Sequence, residues 1–388
     1  MTTTDPTPRR KNRAPRLDNL TLARKEGWFA YVNAPDPEPP ERLTPQGLAA
    51  LSPEARADYD VRRRVWHANL GPIRTPQYNA VYEQLWDIVD SNQQTGDKAK
   101  GAIAIDTPAG MGKTTVAQGF ARDFQLRTIA EEGTTTDAGH ERIPVCRVGM
   151  TGSTGMVEFS RAMLAFYAHP GTTSGRAKAF ADRALDLMIS CETRLLIIDE
   201  MHFLHWGNRQ GVEISNQCKS IANDFPLTLI FIGIGLGEHG LYSEGMSPKD
   251  AIIAQMGRRT TRLGLEPFQI DNEKGRQHWR SLLLALEQKL ALTRAHPGMV
   301  ADDLSDYLFA RSTGHIGSLI SLINRGCQRA ARTGVEQLNR ELLDEVTIDA
   351  AAETGRKELE AALEAGKLTS RPRKSPTPRT PSKPRRPR

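Results

Sequence analysis

One stretch constrains this chain more than any other: residues 101–124, GAIAIDTPAGMGKTTVAQGFARDF. A short apolar run without helical period reads as a strand. It gives way to a glycine-containing turn, and the turn runs directly into a helix-forming segment. That order aims successive backbone N–H groups at one point and sets the positive end of a helix behind them, which makes a cradle for an anion. The turn reads Thr107-Pro108-Ala109-Gly110-Met111-Gly112-Lys113-Thr114-Thr115. Gly110 and Gly112 let the backbone bend and come close to a phosphate. Lys113 is expected to reach the β- and γ-phosphates of a nucleotide, and Thr114 to set its hydroxyl on Mg²⁺. The candidate nucleotide-binding set is therefore Thr107 through Thr115. Thr107 stands where this pattern usually has a glycine, and a β-branched residue does not take a positive φ cheaply. The competing reading is a chance Gly-Lys-Thr in an ordinary strand-to-helix turn.

A second element answers the first. Leu195-Leu196-Ile197-Ile198 is an apolar run that ends in Asp199-Glu200. At the C-terminal end of a parallel strand this pair lies where such sheets bind ligands. Asp199 is then expected to hold Mg²⁺ through water and Glu200 to polarise the attacking water. Alone, two acids after a strand read as a solvated turn or a helix cap. The run at 144–148 lies between the two motifs in sequence and is expected to place its strand between theirs. His202 and His205 share a helical face by their spacing; packing or hydrogen bonding near the site is the favoured role over a metal site.

Further apolar runs at 227–232 and 261–265 add strands, and helical patterns occupy 159–168 and 177–190. Strands that are apolar throughout and alternate with helices predict an α/β fold, a buried parallel sheet with helices on both faces. Past Pro267 the strand signal stops, and helices are expected at 273–291, 301–312, 315–331 and 335–347. The expected organisation is an extended or disordered arm over 1–45, a helical segment over 46–97 broken at Gly71-Pro72, and a nucleotide-binding domain over 98–268. A helical lid over 269–350 and a tail over 351–388, basic and Pro-rich from 367, complete it. No run approaches the roughly 18 apolar residues that a membrane span needs. The cysteines, Cys146, Cys191, Cys218 and Cys327, are scattered, which fits a reduced, cytoplasmic protein better than a disulfide scaffold.

The formal net charge is +6, unevenly spread. Nine Lys/Arg and no acid follow from Lys367 on, and five Lys/Arg against one Asp precede Leu17, so the body between is net acidic. Basic arms on an acidic body often neutralise nucleic-acid phosphates; a solubilising tail is the plainer alternative.

Over residues 58–347 the pattern resembles the AAA+ ATPases, and more narrowly the TniB and TnsC group of transposition ATPases. The resemblance rests on the loop at 107–114, IIDEMHFL at 197–204, FIGIG at 231–235, QMGRR at 255–259, STGHIGSLISLI at 312–323 and the helical lead-in before the loop. It implies an ATPase that uses ATP and Mg²⁺ and forms a ring or helical filament on double-stranded DNA with little sequence specificity. ATP then sits between subunits of a homo-oligomer that recruits a transposase to target DNA. It also implies that Arg258 or Arg259 is an arginine finger entering the neighbour's site, the alternative being that both face solvent or DNA. Thr151–Thr154 and the stretch around Arg209 are nominated for DNA. The chain departs from the AAA+ pattern twice. Gly233-Ile234-Gly235 stands where a water-orienting Asn or Thr is usual, with Glu238 or His239 as substitutes. His315, Ile316 or Ser318 stands where many lids carry a phosphate-sensing Arg. Both departures imply slow hydrolysis. A nucleotide-gated signalling scaffold and a replication or repair loader share the same core and remain open at this point.

Overall fold

The computed structural model describes residues 21–94, 100–152, 154–172, 175–204, 209–225, 227–239, 241 and 258–372. Five strands are seen: β1 (Ala102–Asp106), β2 (Val145–Gly149), β3 (Leu195–Asp199), β4 (Thr228–Gly233) and β5 (Thr260–Leu263). They form one sheet, parallel throughout, in the order β2-β3-β4-β1-β5. Every residue of β1, β3 and β4 is buried, as unbroken apolar runs require of central strands covered on both faces. The expected parallel α/β sheet is therefore present, with one correction to its order. The strand between β1 and β3 is β4, not the run at 144–148, which pairs as β2 on the outer side of β3. Chain order places β2 between the motifs, but which strand a crossover returns to is decided by long-range packing that local pattern does not carry.

The helices among the described residues are α1 (Lys25–Val32), α2 (Pro45–Ala49), α3 (Pro53–Ala68), α4 (Pro76–Ser91), α5 (Lys113–Glu132), α6 (Met156–Phe166), α7 (Ala177–Ser190), α8 (Arg209–Asp224), α9 (Glu273–Glu287), α10 (Ser305–Ser312), α11 (Ile316–Thr333), α12 (Arg340–Asp344) and α13 (Ala350–Glu364). Two compact units divide them. The sheet unit includes residues 61–266 and α1; the second holds 41–60 and the chain from Pro267 on. The boundary falls inside α3, so the helical segment expected over 46–97 is not one body.

In the sheet unit, α1 interrupts the arm that sequence leaves extended. Trp28 is fully buried, and its Nε1–H donates to Gln125 Oε1 on α5 at 2.6 Å. Eight residues nucleate no helix alone; burial of one indole supplies what propensity lacks. Thr75 caps α4 by accepting from the Tyr78 N–H at 3.1 Å, with Pro76 in the first turn.

In the second unit the core is built on Trp279, Leu283, Leu308, Leu319, Leu322 and Leu343. The helix expected over 301–312 starts late. Glu287 accepts from the backbone N–H groups of Gly298, Val300 and Ala301, which holds a separate wide turn at Met299–Asp303 ahead of α10. Buried Arg311 donates to Tyr307 Oη, the Leu343 and Val346 carbonyls and Glu353 Oε1 at 2.7–2.9 Å. It thereby fastens α13, which sequence assigns to the tail. Ser370 is buried, and its N–H and hydroxyl both donate to Asp306 Oδ1 at 2.7 Å. No described helix is long and apolar enough to cross a membrane. All four cysteines are buried and unbonded.

Candidate active site

Parallel pairing brings the ends of β1, β4 and β3 to one edge of the sheet. Asp106 lies level with Gly233, and Ile198 with Phe231, so Asp199 ends its strand within one residue of the same level. β1 and β3 are two strands apart, about 10 Å at the usual strand spacing. The loop after β1 and the acids after β3 therefore share one edge, close enough that a single extended polyanion would reach both.

The loop has the backbone that its glycines predict. Gly110 and Gly112 take φ of 74° and 84°, in the left-handed region, and Gly112 caps the start of α5 at Lys113. A Cβ built at either glycine meets nothing within 4 Å. The space beside both glycines is thus open, while a side chain there would be strained by φ alone. Pro108, Ala109, Gly110 and Thr115 are exposed, Met111 is buried beneath the turn, and Lys113 and Thr114 are half-buried at the helix end. Thr107 keeps an ordinary φ and is buried. Its hydroxyl accepts from the Leu265 N–H at 3.0 Å, and its own N–H donates to the Gly233 carbonyl at 3.3 Å. The residue that departs from the motif ties the loop to the segments after β4 and β5.

At the end of β3, Asp199 is buried. Its Oδ1 accepts from the Glu200 N–H and its Oδ2 from Arg147 Nη2, both at 2.9 Å. Glu200 is half-exposed and sits in the left-handed region, at φ 62°, uncommon for a residue with a side chain. His202 Nδ1 lies 3.3 Å from Glu200 Oε2, and the His202 ring rests on Phe203 at 4.5 Å between centroids. No cluster of three or more metal-ligating side chains occurs among the described residues, and His205 lies outside them. A carboxylate and a hydroxyl, Asp199 and Thr114, are the hard oxygen donors that suit Mg²⁺, which keeps several waters and shares phosphate oxygens.

Other expected residues fall differently. Arg258 and Arg259 are exposed and immediately precede β5, whose first residue is level with Ala102. They lie at the opposite edge of the sheet from the loop and do not converge with Lys113, Asp199 and Glu200 in this chain; the rest of QMGRR lies outside the described residues. Thr151 and Thr154 bond to each other, N–H to Oγ1 at 2.7 Å, and Thr154 is buried, so its hydroxyl is turned inward. The Arg209 side chain is outside the described residues. A side chain at Gly233 is crowded: its Cβ falls 2.4 Å from Leu236 Cδ2, so Leu236 would have to shift. In the second unit His315 Nδ1 pairs with Thr313 Oγ1 at 3.0 Å, and the Ser318 hydroxyl donates to Asp349 at 2.6 Å.

Two residues at the site are not singled out by sequence. Asp106 ends β1, accepts from the Leu236 N–H at 3.1 Å and lies 3.2 Å from Arg262 Nη2. Arg147 is the partner of Asp199. A charged residue within each otherwise apolar strand is the signal that could have found both.

Comparison with known proteins agrees with this architecture. Residues 68–239 match the family model TniB, Bacterial TniB protein, a span that holds both the loop and the acidic pair. No curated protein matches. Among solved structures, the Aeropyrum pernix ORC1 protein in complex with DNA is similar at TM-score 0.54 and 16% identity, over 78% of this chain and 70% of that one. The ADP form of the Aeropyrum pernix ORC2 protein is similar at TM-score 0.53 and 16% identity, over 77% and 74%. At such identities the likeness shows the fold alone, and the TniB match shows that residues 68–239 are similar to that family.

Proposed function

We propose, from a TniB-type segment carried on an AAA+ fold, that this chain binds and hydrolyses ATP with Mg²⁺ and regulates DNA transposition. The observation that carries the reading is the shared sheet edge: a left-handed glycine turn before Lys113 stands two strands from the buried Asp199 and the half-exposed Glu200. Backbone N–H groups of residues 107–114 and the N-terminal end of α5 take the phosphates, and Lys113 neutralises the terminal ones. Thr114 and Asp199 would hold Mg²⁺, which would supply charge neutralisation to the phosphates when bound. Glu200 orients and polarises water. Turnover is slow because no polar side chain follows β4 at Gly233 to share that task.

In this reading the chain assembles as a ring or filament on duplex DNA, with ATP between subunits and Arg258 or Arg259 reaching the neighbour's nucleotide. Their place at the far edge of the sheet supports a role in trans over one in this chain's own site. The DNA-bound state of a protein of the same fold supports DNA as partner, as do the basic ends of the chain. In this reading the chain works in the cytoplasm, and the TniB match supports a transposase as its partner.

Calorimetry tests the core of the proposal. The full chain is expected to take up ATP with Mg²⁺, Lys113→Ala to lose uptake, and Glu200→Gln to keep uptake while losing phosphate release. Absence of uptake by folded wild type refutes the reading. Electron microscopy with a slowly hydrolysed analogue and duplex DNA is expected to show ordered assemblies; nucleotide-dependent assembly indifferent to DNA would favour a signalling scaffold instead.

A further inference from the structure

Arg147 lies on β2 beside Ile197 of β3, and Gly149 lies beside Asp199. Residues two apart in a strand share a face, so Arg147 reaches one pleat along the sheet to Asp199. Gly149 presents no side chain in between, and a Cβ there would meet nothing within 4 Å. The Arg147 side chain is 17% exposed and that of Asp199 only 3%, with 2.9 Å between Nη2 and Oδ2. Among the described residues Arg147 Nε is buried without a hydrogen-bond partner, and the side-chain bond the guanidinium makes is the one to Asp199. Buried ion pairs gain little for stability once desolvation is counted. This one engages the carboxylate expected to face a nucleotide-bound metal.

We propose that Arg147 is a positioning residue that acts as the resident counter-cation of Asp199 and sets how strongly nucleotide and Mg²⁺ depend on each other. The inference rests on the nucleotide reading above. Without metal, an uncompensated Asp199 repels a triphosphate, and Arg147 cancels that repulsion. With metal, the guanidinium is a like charge beside the cation and opposes it. Both effects act in one direction: Arg147 raises metal-free nucleotide affinity and lowers the gain that Mg²⁺ brings. A guanidinium suits the task because it stays charged when partly buried.

The test is a titration of the full chain with a fluorescent ATP analogue, in chelator and in saturating Mg²⁺. The ratio of the two affinities is the coupling factor. In Arg147→Met, metal-free affinity is expected to fall and the coupling factor to rise by about tenfold. Asp199→Asn is expected to do the opposite, collapsing the coupling factor while metal-free affinity holds or rises. The double variant is expected to regain metal-free affinity near wild type, which a misfolded Arg147→Met could not do. If wild type binds the analogue and Arg147→Met leaves the coupling factor unchanged or lowers it, the inference is overturned. If wild type binds no analogue under either condition, the nucleotide reading fails instead.

Discussion

Gly233→Ala is a sharp probe of the packing at the end of β4. Gly233 ends β4 level with Asp106. A Cβ there falls 2.4 Å from Leu236 Cδ2, 3.1 Å from Leu236 Cγ and 3.2 Å from the His202 backbone nitrogen. Leu236 is fully buried, and its N–H is tied to Asp106 Oδ1 at 3.1 Å, so the side chain has little freedom to yield. Overpacking of this kind costs about 1–3 kcal/mol. Replacing a strand glycine returns roughly 0.5–1 kcal/mol of backbone entropy. The net expectation is a loss of about 1–2 kcal/mol. Urea unfolding of Gly233→Ala, Leu236→Ala and the double variant measures it. Leu236→Ala alone is expected to cost about 2–5 kcal/mol. The double variant should cost less than the sum by about 1–2 kcal/mol, because removing Leu236 removes the collision. A Gly233→Ala chain as stable as wild type, or two strictly additive costs, would refute the packing argument. Gly233→Asn is expected to lose stability by the same route without gaining turnover.

Two further outcomes follow from buried groups. Burial first, and then the charge of Arg63, hold the His67 imidazole down at about 4 from its ordinary 6.5. Below pH 6.5 the unfolded chain takes up the proton more readily than the folded one. His67 therefore contributes stability that is present above pH 6.5 and is lost as pH falls toward 4, about 3 kcal/mol in full. Urea midpoints of wild type and His67→Gln at pH 7, 5.5 and 4.5 are expected to converge as pH falls; parallel profiles would contradict it. Trp28→Ala empties a fully buried site and leaves Gln125 Oε1 without its donor, at an expected cost of about 3–5 kcal/mol. Residues near 25–32 should then become the first sites of limited proteolysis in the sheet unit, and an unchanged cleavage pattern would show that α1 is not held by this indole.

What sequence discloses here is what depends on neighbours in the chain. The glycines at 110 and 112 impose their backbone locally, and the runs before Asp106 and Asp199 are apolar throughout because central strands must be. Sequence does not disclose which strand lies beside which, and so it misplaces the strand between β1 and β3. Nor does it show α1, whose stability comes from one indole against α5, or α13, held by Arg311 from forty-two positions away. The pairing of Arg147 with Asp199 joins residues 52 apart in the chain, and only the β2–β3 register makes it inevitable.

The departures from the AAA+ pattern that the sequence resembles have a common physical basis. Thr107 uses its hydroxyl to hold the backbone after β5, Asp106 holds the backbone after β4, and Leu236, so held, fills the space that a side chain at Gly233 would need. The loop, the strand end and the β5 exit are therefore tied to one another through the protein's own groups. A loop pre-tied in this way loses less conformational freedom when a phosphate arrives, which favours binding. The same packing crowds a side chain at Gly233, the position where the proposed reading would put a water-orienting group. In the proposed reading, firm nucleotide binding and slow turnover share this cause, and loosening it at Leu236 is expected to weaken the first before it can improve the second.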